Sequence, residues 1–308
     1  MNKYRLRAYL LLLIVAVIWG IAGPVIKVTL NHLPPSIFLT YRFFIASVVA
    51  LIIFIFQKGI KIPKKSISIP LIIGYTLLNT SISLGLLFWG TSKTSLLDMS
   101  LISMLGPIAI AIAGYVFLKD RITKREKIGI SIAFIGSLII VVAPLLRTNS
   151  GAGDVFGNLL ILAFVITNSL SGVLLKKILR LDINALTLAN LQFVVGFISF
   201  LPFIIFKYGL THSLTIIKNA SLYDHLGVIY MAIISGTIAY ALANKAQRSI
   251  ELSEAAPFGY LNQVFSAMFA ITLLGDKLTT PIIIGSLITF TGIFLAEIKK
   301  KRYNVNLS

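Results

Sequence analysis

The stretch LKDRIT at Leu118–Thr123 returns as LGDKLT at Leu274–Thr279, 156 residues further along the chain. Matches continue at the same offset and include two glycines in each copy: Gly129 with Gly285 and Gly136 with Gly292. Apolar residues coincide by chance in any hydrophobic chain, whereas aspartates and glycines in step do not. The sequence therefore predicts an internal duplication, with one copy in residues 1–148 and the other in residues 149–308.

The composition places the duplicated chain in a lipid bilayer. Of its 308 residues 57% are hydrophobic and 12% are charged, and its mean hydropathy is +0.94, whereas soluble domains carry about a quarter charged residues. The charges lie in short clusters between apolar runs of about twenty residues, the length that crosses a hydrocarbon core about 30 Å thick. These runs predict ten membrane-spanning helices: residues 8–29, 35–56, 69–90, 96–118, 127–146, 155–175, 184–206, 225–244, 254–275 and 279–298.

The positive charges predict the orientation of these helices. With the N-terminus inside, 21 of the 28 lysine and arginine residues fall on the inner side, six on the outer side and one, Arg42, within a span. Loops that stay in the cytoplasm accumulate lysine and arginine, so we expect a multi-pass protein of the cell inner membrane with both termini in the cytoplasm. The same bias explains the net charge of +18 without a nucleic-acid partner.

Five spans in each half are an odd number, so the second half is predicted to lie inverted relative to the first. Many secondary transporters use such inverted repeats to reach two mirror-related conformations, with the substrate site near the midplane between the halves. A duplication kept only for packing is the alternative. The predicted fold is thus an all-α integral membrane protein of ten transmembrane helices in two inverted five-helix repeats, forming one membrane domain.

Several motifs resemble the drug/metabolite transporter superfamily, EamA-like family. They are Val17–Gly20 with Pro24 in the first span, Pro35 and Arg42 in the second, Pro107 in the fourth, and the paired stretches after the fourth and ninth spans. The resemblance covers nearly the whole chain. It departs from the family where Asp120 and Asp276 replace the usual Glu, and where Asn262 and Gln263 stand in place of a usual Pro, which alters backbone shape and polarity in the ninth span.

Polar residues deep in the spans are the candidates for substrate binding, because a polar group in hydrocarbon is costly unless it is paired or faces water. In proteins of this family the first, third, fourth, sixth, eighth and ninth helices surround a central cavity, and the resemblance implies the same here. Amides and phenols beside an aromatic wall suit a zwitterionic or weakly polar small molecule. Interhelical hydrogen bonding is the alternative role. The candidates are Trp19, Arg42, Tyr75, Asn79, Asn168, Thr237, Tyr240, Asn244, Tyr260 and Gln263.

Helical spacing selects most of these residues. Tyr75 and Asn79 are four residues apart on one face, Thr237, Tyr240 and Asn244 follow an i, i+3, i+7 pattern, and Tyr260 shares a face with Gln263. Arg42 is the charge furthest inside a span, seven residues beyond Pro35 or about 10 Å along the helix. Its guanidinium could bind a carboxylate or phosphate of the substrate. It could equally cap backbone carbonyls opened by a neighbouring Gly or Pro, or extend outward to water.

A second group of residues suggests movement and packing. Pro24 and Pro107 each remove a backbone hydrogen bond, so they are candidate bending points or static kinks. Asp120 and Asp276 lie near the membrane interface as candidate gates or as plain turn residues. The small-residue stripes around Gly136 and its counterpart predict close helix packing, within one chain or in a homodimer.

The sequence argues against an enzyme and offers no cofactor or metal site. It contains no cysteine and no HExxH, GxSxG or P-loop motif. The segments Gly151–Asp154 and Tyr223–Asp224 imitate intramembrane aspartyl proteases, but they occur in reverse order and in predicted outer loops. Because no Asp, Glu or His lies near the middle of a span, we expect facilitated diffusion, exchange, or coupling through the charge of the substrate itself.

These features together predict a secondary transporter. We expect it to move a small organic metabolite, an amino acid or a similar compound, by alternating access, with export as the favoured direction. A flippase or exporter of lipids or hydrophobic drugs would share the same architecture and is the alternative. A channel lacks support, because neither a filter-like repeat nor a charged ring is visible.

Overall fold

A computed structural model of the chain describes residues 3–57, 68–94, 96–142, 154–181, 183–274 and 280–297. Across these residues the secondary structure is helical, with no strand. A helical run lies on each of the ten apolar stretches of the sequence. The runs are α1 (Lys3–Leu30), α2 (Pro35–Phe56), α3 (Ser68–Thr76, Leu77–Leu84 and Gly85–Lys93), α4 (Leu96–Ser103 and Gly106–Leu118), α5 (Lys124–Val142), α6 (Val155–Leu179), α7 (Ala185–Tyr208), α8 (Leu222–Ile229, Tyr230–Ile238 and Ala239–Ser249), α9 (Leu252–Ala255, Ala256–Tyr260 and Leu261–Leu274) and α10 (Thr280–Glu297).

Length and composition allow several of these helices to cross a membrane. Within the described ranges, six are long and apolar enough: α1, α2, α3, α6, α7 and α8. Two shorter apolar helices, Gly106–Leu118 and Ile283–Ala296, accompany them. A further short helix, Leu210–Lys218, was not predicted; it follows Gly209, whose φ of 76° is a conformation that glycine adopts without strain.

Two of the helices are broken where the sequence predicts continuous spans. The first part of α4 ends at Ser103, and its second part begins with Gly106 and Pro107 in its first turn, where the missing N–H of proline costs nothing. In α9 a 3₁₀ segment, Ala256–Tyr260, precedes the α-helical part. The first parts of the two helices begin at Leu96 and Leu252, which are corresponding positions of the duplication.

Two other helices contain π-helical turns. These segments are Leu77–Leu84 in α3 and Tyr230–Ile238 in α8. Hydrogen bonds between residues five apart widen the helix, so residues three or four apart no longer share a face there. The polar stripes predicted from α-helical spacing are therefore displaced along these segments.

Helices α5 and α10 pack directly against each other through their glycines. A Cβ atom added to Gly136 would lie 2.5 Å from the backbone nitrogen of Thr289, and one added to Gly292 would lie 2.4 Å from that of Ala133. Neither approach leaves room for a side chain. The predicted packing role of these stripes is confirmed within the chain.

Packing between the other helices crosses from one half of the chain to the other. In the first half, α1 packs against α8 and α9 of the second; in the second half, α6 packs against α3 and α4 of the first. Helices α2 and α7 lie against each other through an aromatic core that includes Phe43, Phe193 and Phe200. A central space is left between the crossed helices.

Candidate functional site

A cavity of about 350 Å³ occupies this central space. Its walls come from α1, α3, α4, α6, α8 and α9, the helices that the family resemblance implied, with Arg42 added from α2. The volume falls in the range of pockets that hold small organic molecules, about 300 to 1,000 Å³. Another groove, of about 640 Å³, lies between the start of α1, the start of α7 and the end of α8, and none of the predicted site residues lines it.

The structure brings most of the predicted site residues into one cavity. Those that line it are Trp19, Arg42, Tyr75, Asn79, Asn168, Tyr240, Asn244, Gln263 and the predicted hinge residue Pro107. Thr237, Tyr260, Pro24 and Asp120 do not line it, and Asp276 lies outside the described residues. Substrate binding by these residues remains a prediction, because the cavity shows their position and not their ligand.

Arg42 is the most unusual residue of the cavity. Its side chain is 1% exposed, and its guanidinium carbon lies 5.8 to 5.9 Å from the ring centroids of Phe43, Phe88 and Phe193. Among the described residues it has no carboxylate in ion-pair range and donates no hydrogen bond, and its Nε is buried without an acceptor. The carbonyl-capping and outward-extending roles considered from the sequence are therefore not observed. Three aromatic faces hold a positive charge that no described protein group neutralises.

The predicted stripe of α3 takes part in interhelical hydrogen bonds. The hydroxyl of Tyr75 donates to Oε1 of Gln192 at 3.0 Å, and Nδ2 of Asn79 donates to the same oxygen at 2.7 Å. The hydroxyl of Ser171 donates to Oδ1 of Asn79 at 3.1 Å. These bonds join α3, α7 and α6, so Tyr75 and Asn79 hold helices together and also line the cavity. Sequence analysis missed Gln192, although an amide in the apolar seventh span was a visible signal.

Along α8, two amide oxygens in the cavity wall lack a partner. Asn244 donates from Nδ2 to the carbonyl of Ala185 at 3.3 Å, but its Oδ1 accepts no hydrogen bond from the described residues. Oε1 of Gln247, one turn further, is also buried without a donor. Buried acceptors of this kind are uncommon and call for a partner.

An aromatic wall stands beside these amides. The Trp19 and Tyr240 rings meet edge to face, with centroids 5.3 Å apart. Trp19 is held by its indole N–H, which donates to the carbonyl of Ser235 at 3.1 Å. Such a wall offers a stacking surface to a small molecule.

Thr237 and Tyr260 lie outside the cavity wall, and at both the local backbone departs from a regular α-helix. Thr237 lies in the π segment of α8, and its hydroxyl turns back towards the carbonyl of Ala232, five residues earlier, at 3.5 Å. Tyr260 ends the 3₁₀ segment of α9, and the α-helical part that carries Gln263 begins at the next residue. It instead packs edge to face on Phe134 of α5, with ring centroids 6.3 Å apart.

The predicted hinge residues differ in their surroundings. Helix α1 continues through Pro24, whereas Pro107 marks the break in α4 and packs against Gly259 of α9. Asp120 is buried and accepts a hydrogen bond from the backbone N–H of Ser253 at 3.1 Å. It therefore joins the end of α4 to the start of α9, a contact between the two halves that a plain turn residue would not make.

Comparison with known proteins agrees with this architecture. The sequence model of the EamA-like transporter family matches residues 6–142 and again residues 155–297. YyaM, an uncharacterized transporter of Bacillus subtilis (strain 168), is 27% identical over 307 residues, which cover 97% of each protein. A probable amino-acid metabolite efflux pump of Salmonella typhimurium (strain LT2) is 25% identical over 292 residues, which cover 92% of this chain and 93% of the pump. One crystal structure superposes with a TM-score of 0.77 over 95% of this chain and 97% of its own at 14% identity, which shows a shared fold alone.

The two family matches together cover most of the 308 residues. Several helices have the length and apolar composition of membrane spans, and the relatives are transporters. The chain is a multi-pass membrane protein and belongs to the EamA-like transporter family of the drug/metabolite transporter superfamily.

Proposed function

We propose that this protein is a secondary transporter that exports a zwitterionic metabolite, an amino acid or a close relative, across the cytoplasmic membrane. Transport proceeds by alternating access between two inverted repeats of five helices, and both termini lie in the cytoplasm. The substrate and the surrounding lipid bilayer are its partners, and it needs no nucleic acid and no cofactor. Transport of this kind needs no catalytic activity, so the proposal includes no enzymatic function. A homodimer is a further possibility for the assembled protein.

The buried guanidinium of Arg42 in the cavity is the observation that carries this proposal. A positive charge without a described carboxylate partner is costly to keep from water. A substrate carboxylate would neutralise it through charge-assisted hydrogen bonds. The unpartnered amide oxygens of Asn244 and Gln247 in the same cavity are acceptors, and a substrate ammonium group would supply them with donors. Cation and acceptors in one cavity complement a zwitterion.

The relatives support the same class of substrate. Proteins of Salmonella typhimurium and Escherichia coli that are 25% and 24% identical are named probable amino-acid metabolite efflux pumps. Their name contributes both the substrate class and the direction to the proposal. The direction rests on that name alone, because no described feature of the cavity favours one direction.

Repeated local structure supports the inverted-repeat mechanism. The start of α4 and the start of α9 are corresponding positions of the duplication, and each helix is interrupted beside the cavity. The π segments of α3 and α8 also overlap when one half of the sequence is shifted onto the other by the same offset. Irregular turns at matching positions of two halves are typical of transporters built from repeats.

Thermal unfolding of the detergent-purified protein with three matched ligands tests the substrate class. An α-amino acid is compared with the amine that lacks its carboxylate and with the acid that lacks its ammonium group. A ligand that binds only the folded state at 100 times its Kd adds about 2.7 kcal/mol to stability, so the amino acid should raise the melting temperature most. Counterflow in liposomes would then establish transport by a carrier.

Two results would overturn this proposal in different ways. Equal shifts of the melting temperature with the amine and with the amino acid would show that Arg42 does not recognise the carboxylate of the substrate. A shift with phospholipids or hydrophobic drugs, and none with any polar metabolite, would favour the flippase that shares this architecture.

A further inference from the structure

A lysine in each half of the chain makes the same pair of contacts. In the first half, Nζ of Lys27 donates to the backbone carbonyls of Thr91 and Thr94, both at 2.9 Å. This contact fastens the end of α1 to the end of α3. The second half repeats it between α6 and α8, with the corresponding residues Lys176, Gln247 and Ile250. The lysines are 149 residues apart, and each carbonyl has its counterpart 156 residues later.

A carboxylate close to each lysine contact is repeated in the same way. Nδ2 of Asn158 donates to Asp98 at 3.3 Å, and the hydroxyl of Tyr9 donates to Glu254. Asn158 follows Tyr9 by 149 residues, and Glu254 follows Asp98 by 156, the offsets found for the lysine contacts. Five positions in each half therefore build one arrangement twice.

The two copies lie at opposite ends of the molecule. Tyr9 and Lys27 are 18 residues apart on α1, and Asn158 and Lys176 are 18 residues apart on α6. At about 1.5 Å per residue this separates the two ends by about 27 Å. We name them the Lys27 end, which contains Asp98, and the Lys176 end, which contains Glu254.

Lysine and carboxylate contacts differ in what they join. Each lysine joins helices of the same half, so it braces that half as a unit. Each carboxylate joins different halves: Asp98 of α4 meets α6, and Glu254 of α9 meets α1. When the two halves rotate against each other, contacts between them must break, whereas contacts within one half can stay. The carboxylate contacts are therefore candidates for gates, and the lysine contacts are not.

The two carboxylates differ in burial and in their further contacts. Glu254 is fully buried and lies 3.6 Å from the guanidinium of Arg5, in addition to its contact with Tyr9. The contact between Asp120 and Ser253 joins the halves at the same end. Asp98, in contrast, is only half-buried. Contacts between the halves close the Lys27 end as well, because the hydroxyl of Thr94 donates to Oδ1 of Asn158 and Nδ1 of His32 lies 3.0 Å from Asp224.

We propose that Asp98 and Glu254 are the paired gates of the transporter, which open in alternation while Lys27 and Lys176 keep each half rigid. This rests on the alternating access of the proposed function, but not on the identity of the substrate. It assigns a role to two carboxylates that lie outside the cavity, and it predicts that loss of one gate has the opposite effect to loss of the other.

A single reactive cysteine in the cavity tests the proposal. The protein contains no cysteine, so Ser266→Cys, at a half-buried position in the cavity wall, gives one site for a membrane-impermeant maleimide. Labelling rates are measured from each side of the membrane, in intact cells and in inverted vesicles. Glu254→Gln should speed labelling from the Lys176 side and slow it from the other, while Asp98→Asn should do the reverse.

The size of the effect follows from the charge on each gate. Weakening one hydrogen bond to a charged group changes an equilibrium constant by about tenfold. Each variant should therefore change the equilibrium between the two conformations, and with it the ratio of the two labelling rates, by about that factor. The ratio measured on the unaltered protein is the reference. Glu126→Gln is the matched control, because that buried carboxylate accepts hydrogen bonds from Thr123 at the start of its own helix, and it should leave the ratio unchanged.

The partner side of each gate provides a second pair of variants should the first not fold. Tyr9→Phe and Asn158→Leu remove the donors and keep the carboxylates, and they should again shift the ratio in opposite directions. Shifts in the same direction, or none, would overturn the proposal. Labelling needs no substrate, so an error in the proposed substrate class would not change these results. If the variants shift the labelling ratio as expected but no substrate is transported, the proposed function is refuted and the gates are not.

Discussion

Arg42→Met separates the two roles that a buried arginine can have. Methionine keeps much of the length and apolar contact of the side chain and removes its charge. If Arg42 binds a substrate carboxylate, the variant should lose affinity and keep its fold. If Arg42 instead holds the helices together, the variant should unfold more easily. The same substitution therefore gives opposite results under the two roles.

The structure sets the expected magnitudes. The three aromatic contacts lie at 5.8 to 5.9 Å, close to the limit of about 6 Å, so they stabilise the folded state by about 0.5 kcal/mol each. Burying an ion without a counter-ion costs several kcal/mol. Removing this charge should leave the free energy of unfolding unchanged or raise it by up to about 3 kcal/mol. Loss of a hydrogen bond to a charged group should weaken substrate binding roughly 10- to 150-fold.

Thermal unfolding and ligand titration on the same purified samples measure both quantities. Lys27→Met is the matched control, because it also removes a cation but breaks two hydrogen bonds to backbone carbonyls. It should lower the melting temperature and leave ligand affinity nearly unaltered. A melting temperature of Arg42→Met that falls as far as that of Lys27→Met would refute the binding role and make Arg42 a structural residue.

Two further substitutions test packing and the cavity wall. Gly136→Ala should lower the free energy of unfolding by about 1 to 3 kcal/mol through overpacking, because its Cβ would lie 2.5 Å from the Thr289 backbone. Gly74→Ala is the control and should not destabilise the protein, because Gly74 has open space around it. Chemical denaturation measures the free energy of unfolding of both variants. Asn244→Ala with Gln263→Ala should abolish substrate flux into proteoliposomes and leave the melting temperature nearly unaltered, and a variant that unfolds instead would make these amides interhelical contacts.

Much of the cavity could be predicted from the sequence, because α-helical spacing and the family resemblance both concern regular helices. Tyr75 and Asn244 lie in α-helical turns and line the cavity, in the positions that this spacing predicts. Thr237 lies in the π segment of α8 and does not line the cavity, whereas Asn79, in the π segment of α3, does. No propensity marks such turns in a single sequence, so an α-helical wheel does not show which residues they displace.

The gates were missed for a different reason. Lys27 and Lys176 enter the sequence analysis only among the lysine and arginine residues that orient the helices, and Asp98 and Glu254 only among the acidic residues that lie away from the middle of a span. Their partners are backbone carbonyls and side chains of other helices, far away in the sequence, which spacing along one helix does not reveal. The two offsets of the duplication did contain the signal, because they align the lysines with each other and Asp98 with Glu254.

The unpaired charge of Arg42 also predicts how transport is coupled, under the proposed function. An empty cavity closes around one guanidinium, whereas a loaded cavity closes around a guanidinium paired with a carboxylate. Enclosing an unpaired charge away from water costs more than enclosing a pair, so the empty carrier should change sides more slowly than the loaded one. Uptake of labelled substrate should therefore be faster into liposomes that contain unlabelled substrate than into empty ones. Equal rates would show that the charge of Arg42 does not oppose closure. In Arg42→Met, the difference between uptake into loaded and into empty liposomes should shrink for any substrate that still binds.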